Sequence, residues 1–328
     1  MASLGVTYSD LETAIRDFVG DPTAVADVDI QRGYRLFLAP PIVGESQQRH
    51  RWSFLSPIGT LDLWPTTTGT IATAVYDGPT AKTTLTVATA AFYSSMRTHP
   101  IVIADVGTFY ITDYDSTTQI KVLGDASAAH ATDKTFTITS TGRFPLPETY
   151  GSIEGPFVFP DGSGVVPLHL TGWGNIRILR SYSNLTSTPR QCAIVPRPTI
   201  STIYVLQKHA ARWDLEVWPK TNAWWLLTFR YRVSLERLHT TDFPYPLGGE
   251  EHGETILQAC VAAAELRLSG KEGDQWKRFL ELLAGSIAFD CEAHSPRDLG
   301  YCWDFSDQTS APADPRAGVE VHYTPRGS

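Results

Sequence analysis

The sequence predicts an α+β protein in which terminal helical segments form a four-helix bundle around a large antiparallel β insertion with two β subdomains. Two observations support this prediction. Apolar residues recur with a helical period near both chain ends, in 8–40 and 254–291, whereas from about 50 to 240 they alternate with polar residues. Because a helix with one apolar stripe must bury it, the four terminal helices are expected to pack on one another.

The N-terminal helices of the bundle are assigned to residues 1–45. Ser9 and Glu12 have the spacing of a capping box, in which each side chain bonds a backbone N–H at the helix start. Gly20 is expected to end this helix, and Pro40 the next one, because proline cannot donate to a continuing helix. The apolar positions of the two helices are Leu11, Ile15 and Phe18, and Ile30, Tyr34, Phe37 and Leu38.

The β insertion is assigned to residues 46–247. Alternation in "RWDLEVWP" and "WWLLTFRYRVSL" predicts strands with apolar side chains inside and polar ones, such as Asp214 and Glu216, outside. No long helical pattern is expected between about 50 and 240. A Thr/Ala-rich composition predicts a separate inner barrel at 66–141, and strands punctuated by proline follow at about 143–245.

The C-terminal helices of the bundle are assigned to residues 248–300. Glutamates cluster at the start of the first helix, where the helix dipole favours acids. That helix is rich in alanine, which permits close approach of other helices. The second carries one stripe, made by Trp276, Leu280, Leu283, Ile287 and Cys291. Residues 301–328, rich in Pro, Gly and Ser, are predicted to form an extended tail.

Composition excludes several functional classes. The net charge of −8 disfavours direct binding to the phosphates of nucleic acid. The four cysteines, Cys192, Cys260, Cys291 and Cys302, show no metal-binding spacing and are expected to be free thiols. The first 20 residues lack the features of a signal peptide, and no segment has the length and apolar content of a membrane span.

No motif for catalysis, a cofactor or a metal is found, so the protein is not expected to be an enzyme. Asp113 and Asp115 could form an acid–base pair, but their turn-forming neighbours favour solvated turn acids. "DGSGVV" at 161–166 is interpreted as a hairpin turn because it lacks the ligands of a calcium loop. A hydrolase would need a pocket with a His and a carboxylate, for example near His239 and Asp242.

The aromatic residues of "WPKTNAWWLL" allow two interpretations. They could stack on sugar rings, or Trp218 and Trp225 could belong to a sheet core while Trp224 packs on a neighbouring element. The second is favoured because alternation accounts for it. Arg230 and Arg232 alternate with inward aromatic residues, which a solvated or partner-facing strand surface explains without a ligand.

Five phrases carry a resemblance to a known family. They are "DIQRGYRLFLAPP", "HRWSFLSPIGTLDL", "FPLPETYGSIEGPFVF", "LEVWPKTNAWWLLTFRYRV" and "ETILQACVAAAELRL". In this order they resemble the tail adaptor proteins of short-tailed bacteriophages, also called tail tubular or gatekeeper proteins, which connect head to tail. The resemblance covers about residues 8–300.

The resemblance implies a structural virion protein that forms a dodecameric ring between the portal protein and the tail nozzle. Helical bundles would line the ring, and β domains would face tail fibres or spikes. DNA would pass through an axial channel without specific binding. Ala259, Ala263 and Ala264 would let neighbouring helices approach around the ring, so Ala263→Leu is expected to fold but assemble poorly. The residues expected to pack between subunits also include Trp276, Leu280, Leu283 and Ile287. The implied location is the neck or tail of the virion, after assembly in the host cytoplasm.

A second hypothesis is a β-rich carbohydrate- or receptor-binding tail module. Its distinguishing feature would be an exposed aromatic platform around Trp224 with polar neighbours. Neither hypothesis implies a cofactor or a membrane.

Overall fold

We describe a computed structural model of the chain, covering residues 5–21, 26–41, 49–129, 134–197, 213–235, 237–241 and 244–294. The described part is mostly β structure, with thirteen strands and five α-helices. The predicted extended tail, Cys302 and Asp242 lie outside the described residues.

The helices are α1 Tyr8–Val19, α2 Asp27–Leu38, α3 Trp173–Tyr182, α4 Gly253–Ser269 and α5 Asp274–His294. The first seven strands are β1 Ile58–Leu63, β2 Thr67–Asp77, β3 Lys82–Val87, β4 Pro100–Ile103, β5 Gly107–Ser116, β6 Gln119–Leu123 and β7 Thr135–Ile138. The other six are β8 Arg143–Pro145, β9 Tyr150–Ile153, β10 His169–Leu170, β11 Gln191–Pro196, β12 Trp213–Trp218 and β13 Trp225–Val233.

A closed antiparallel barrel forms from six consecutive strands, in the order β2-β3-β6-β5-β4-β7. It occupies 67–138, within the segment for which an inner barrel was predicted. Two open sheets, β1-β13-β9 and β10-β11-β12-β8, lie beside it. Buried residues of the barrel and of both sheets belong to one continuous apolar core. Closure of the barrel removes the exposed strand edges that would otherwise pair with other chains.

The prediction of a four-helix bundle is wrong, and the described chain is richer in β structure than expected. In a bundle each helix buries one stripe and exposes the opposite side. Here α1, α2 and α5 pack against α4, which is buried on nearly all sides. Trp52, Leu55 and Leu238, from the two ends of the β insertion, complete the core of this helical part. Four terminal helices therefore do not form a separate core.

Helices α2 and α4 approach each other at backbone distance. A Cβ atom added at Gly33 would lie only 2.4 Å from Cα of Cys260 and 2.7 Å from the carbonyl carbon of Ala259. Arg267 of α4 donates through Nε and Nη2, at 2.8 Å each, to the fully buried carboxylate of Asp29 on α2. Glycine is therefore required where the helices cross, and an ion pair holds them beside the crossing.

The start of α1 differs from the prediction, and its end does not. Thr7 and Asp10 make the capping box, because each side chain bonds the other residue's backbone N–H. Glu12, predicted for that role, accepts from Arg16 one turn later at 2.8 Å. Gly20 ends the helix in the left-handed conformation, at φ 73°, which confirms the predicted stop.

Helix α3 was not predicted, because the segment from about 50 to 240 was expected to contain only strands. It packs on β11 and β12 and covers the face of the sheet that was expected to meet solvent. Asp214 and Glu216 of β12 are therefore buried, so the prediction of an outward polar face is wrong for this strand. The alternation in β12 correctly marks two faces, but both of them are covered.

Candidate interaction surfaces

The residues predicted to pack between copies lie mainly inside the single chain. Ala259, Ala263, Ala264 and Leu283 are fully buried. Trp276, Leu280 and Ile287 are half-buried against the same helical core, and Cys291 at the end of their stripe is exposed. Ala259 lies at the close approach of α4 to Gly33 of α2 within the chain. Packing of these residues between copies stays a prediction.

A buried carboxylate attaches α3 to the sheet. Glu216 Oε1 accepts from Nη1 of Arg180 at 2.5 Å, and Oε2 accepts from Trp173 Nε1 and from Nη2 of Arg143, each at 3.0 Å. Nη2 of Arg180 also donates to the carbonyl oxygens of Gly142 and Val217. Burial lowers the pKa of the Arg180 guanidinium, while the adjacent Glu216 carboxylate opposes this shift. We call Glu216 with its three donors the α3 clamp.

Helix α3 and its flanking segments also present apolar side chains to solvent. Ile176 is the one residue of the helix that is fully buried. Trp173, Ile178 and Tyr182 are 45%, 55% and 84% exposed, and Leu170 and Leu185 of the flanking segments are also exposed. The Arg177 guanidinium lies 4.9 Å above the Trp173 ring. Exposed apolar side chains on a helix and its flanking segments make this region a candidate protein–protein contact site. These five apolar residues are the α3 surface.

A polar groove of about 590 Å³ runs along the outside of the barrel. Its lining residues are Asp77, Thr80, Lys82, Thr84, Ser94, Arg97, Asp113, Tyr114, Asp115 and Lys121. Lys82 Nζ lies 2.7 Å from Oδ2 of Asp113, and Lys121 Nζ lies 3.4 Å from Oδ2 of Asp115. Burial raises the pKa of the Asp113 carboxyl, but bonds from Lys82 and Thr112 outweigh it and hold the pKa below its ordinary value. Each of the two aspartates is thus paired with a lysine.

An aromatic pair borders this groove. Trp224 is 47% exposed and stacks on Tyr93, with ring centroids 6.2 Å apart and an interplanar angle of 17°. Trp224 Nε1 donates to Asp62 Oδ1 at 3.0 Å, and the groove residue Ser94 donates to Asp62 Oδ2 at 3.0 Å. Asp62 therefore joins the aromatic pair to the groove. Trp224 packs on Tyr93 as the favoured interpretation expected, yet the exposed platform with polar neighbours is also present.

The two arginines predicted to face a partner differ in surroundings. Arg230 is exposed, but its Nε donates to the Ser56 carbonyl oxygen at 3.1 Å and lies 3.9 Å from a Glu154 carboxylate oxygen. Arg232 is half-buried on the same strand, where the register of β13 with β9 shifts. Arg230 is therefore partly engaged within its own chain.

A second groove, of about 620 Å³, follows the outer side of α2. Its lining includes Arg32, Arg35 and Arg237, and Arg237 makes an ion pair with Asp27. The groove is positively charged because of these arginines, and the exposed side chain of Val28 adds an apolar part to its lining. It is distant from the α3 clamp in sequence and belongs to the helical part.

The described residues contain no group of three His, Cys, Asp or Glu side chains placed to hold a metal ion. Within the same residues, no helix combines the length and apolar character needed to cross a membrane. Cys192 and Cys260 are free thiols, as expected. His239 bonds Thr241 through Nδ1, and its suggested partner Asp242 lies outside the described residues.

Sequence reasoning missed Glu216, Asp62 and Gly33. Gly33 had a signal, because a glycine inside an apolar helical stripe destabilises the helix unless close packing requires it. Glu216 and Asp62 had none, since an alternating strand places such residues by default on a solvent face. No protein-family model matches this chain, and a search of curated proteins also finds no match.

Proposed function

We propose that the protein is a structural virion component, a ring-forming tail adaptor that joins the portal protein to the tail nozzle. In this role it anchors fibres or spikes and leaves an axial channel for DNA. The observation that supports the proposal is the α3 surface, where a helix held by a buried carboxylate turns its large apolar side chains outward. The resemblance of five sequence phrases to tail adaptors is the reason for proposing this particular assembly.

The α3 surface suits a permanent protein contact better than a ligand site. Trp173, Ile178 and Tyr182 of this surface sit on a helix whose position is set by the clamp, so little backbone entropy is lost on binding. A ring contact is heterologous, so each copy shows two different patches that close by rotation. We assign the α3 surface to one of these patches and expect a buried area above about 2,000 Å² per contact.

The remaining properties of the chain agree with a passive channel. The net charge of −8 repels phosphate, so DNA would pass without specific binding. The proposed role needs no cofactor and no catalytic group. The protein would act in the neck or tail of the virion after assembly in the host cytoplasm.

Mass photometry of the purified protein, alone and with the portal protein of the same particle, tests the proposal. A species containing about a dozen added copies is expected, in both samples or only with portal. Tyr182→Asp and Ile178→Asp should abolish it, because each buries a charge in an apolar contact. Val75→Asp is the matched control, since Val75 is an exposed apolar residue on the barrel. A wild-type monomer indifferent to portal would refute the adaptor role.

A further inference from the structure

We infer that the barrel groove and the Trp224–Tyr93 pair form one binding site for a neutral carbohydrate. Asp62 connects the two parts, since its carboxylate accepts from Trp224 on one side and from Ser94 of the groove on the other. This inference goes beyond the adaptor role and does not depend on it.

The platform is built before any ligand binds. The bond to Asp62 fixes the indole of Trp224, and stacking on Tyr93 supports it at an interplanar angle of 17°. Nearly half of the Trp224 surface remains exposed. A rigid, flat apolar surface is the chemical partner of the C–H face of a pyranose ring, and fixing it in advance reduces the entropy lost on binding.

The groove supplies the polar half of such a site. A sugar hydroxyl both donates and accepts hydrogen bonds, so its site needs donors and acceptors close together. Carboxylate oxygens of Asp113 and Asp115 alternate with the ammonium groups of Lys82 and Lys121 along the wall. The volume of about 590 Å³ lies within the range of small-molecule sites.

Charge balance selects a neutral ligand. Lys82 and Lys121 are each paired with an aspartate, and the guanidinium of Arg97 lies 3.3 Å from a Glu148 carboxylate oxygen. The groove therefore presents no unpaired cation for a phosphate or an acidic sugar. Nucleic acid, whose bases would also stack on Trp224, is disfavoured because the groove presents no unpaired cation for its phosphate backbone.

A printed array of neutral and acidic oligosaccharides, followed by NMR titration of the best binder into the full chain, tests the inference. Wild type is expected to bind one or more neutral glycans. Trp224→Ala should weaken binding about ten-fold or more, because the stacking surface is lost. Trp224→Phe should lose less, since it keeps an aromatic face without the bond to Asp62. Tyr182→Ala removes an exposed aromatic ring from α3 and should bind the glycan as wild type does.

The inference is overturned if no neutral glycan binds at millimolar concentration, if only acidic glycans or single-stranded DNA bind, or if folded Trp224→Ala binds like wild type. Thermal unfolding of Trp224→Ala establishes that the variant is folded. Failure of this site and failure of the adaptor role are distinguishable, because ring formation is measured with portal and depends on Tyr182 rather than on Trp224.

Discussion

Helices α4 and α3 are attached to the protein in opposite ways. Helix α4 is surrounded by α1, α2 and α5, and its alanines allow backbone contact with α2 at Gly33. Helix α3 buries only Ile176 and is held by hydrogen bonds and ion pairs to Glu216. Helix α4 leaves only Leu268 among its large apolar side chains exposed, whereas α3, held by a polar clamp, exposes Trp173, Ile178 and Tyr182. The proposed assembly surface was therefore placed on α3.

The largest effect is expected when the clamp is broken. Glu216→Ala leaves the half-buried guanidinium groups of Arg143 and Arg180 without their carboxylate and should cost about 3–5 kcal/mol in the free energy of unfolding. Chemical denaturation measures this loss, and hydrogen exchange should show lost protection in α3 but not in α4. Arg278→Ala breaks an exposed pair with Glu254 and should cost only about 0–1 kcal/mol. Equal losses of stability in both variants would show that the clamp holds α3 no more strongly than an exposed ion pair would.

A slightly smaller effect is expected at the contact of α2 with α4. Gly33→Ala places a methyl group 2.4 Å from the Cys260 backbone, so the helices must separate, at a cost of about 3 kcal/mol. Gly285→Ala in α5 is the matched control, because open space surrounds that position. It should be neutral or stabilise the protein by up to about 1 kcal/mol. Chemical denaturation of both variants measures these changes in the free energy of unfolding. A Gly33→Ala variant as stable as wild type would contradict the close approach of the two helices.

Ala263→Leu revises the expectation from the sequence. Because Ala263 is fully buried, the larger side chain should destabilise the folded chain by about 2 kcal/mol rather than impair assembly alone. Thermal unfolding of the isolated protein measures this loss. A variant with wild-type stability that fails only in mass photometry with portal would restore the earlier role of this alanine between copies.

The smallest effect concerns pH at the start of α4. Burial lowers the pKa of His252 from its ordinary value near 6.5, with an added contribution from His50, while Asp290 and Glu251 oppose the shift. As pH falls below about 6.5, His252 binds a proton in the unfolded chain before it does so in the folded chain. The free energy of unfolding therefore decreases, by at most about 1.4 kcal/mol per pH unit for one proton. Denaturation between pH 8 and pH 5 measures this dependence.

His252→Phe should reduce that loss, because the ring already lies among Phe37, Trp52 and Phe54 and a phenyl ring does not titrate. His239→Phe, at an exposed position, is the control for replacing a histidine by phenylalanine. An identical pH profile for wild type and His252→Phe would show that His252 contributes nothing to the pH dependence of stability.

The sequence identified much of the fold but little of the candidate sites. Periodicity located α1, α2, α4 and α5 and the strands β12 and β13, because each of these elements shows its own apolar pattern. It missed α3, since most large apolar side chains of that helix are exposed and give no buried stripe. Trp224 was recognised as an aromatic that could bind a ligand, but the choice between packing and exposure needed the positions of Tyr93 and Asp62.

By itself, the sequence determined where apolar patterns begin and end, which turns need glycine, as at Gly20, and the acidic balance of the surface. Those properties depend on local backbone geometry and composition. Only the tertiary structure decided that α4 lies at the centre of the helical part, that Glu216 is buried, and that Asp62 joins two surfaces distant in sequence. These features depend on which elements cover one another, and a residue's own neighbours along the chain do not specify that.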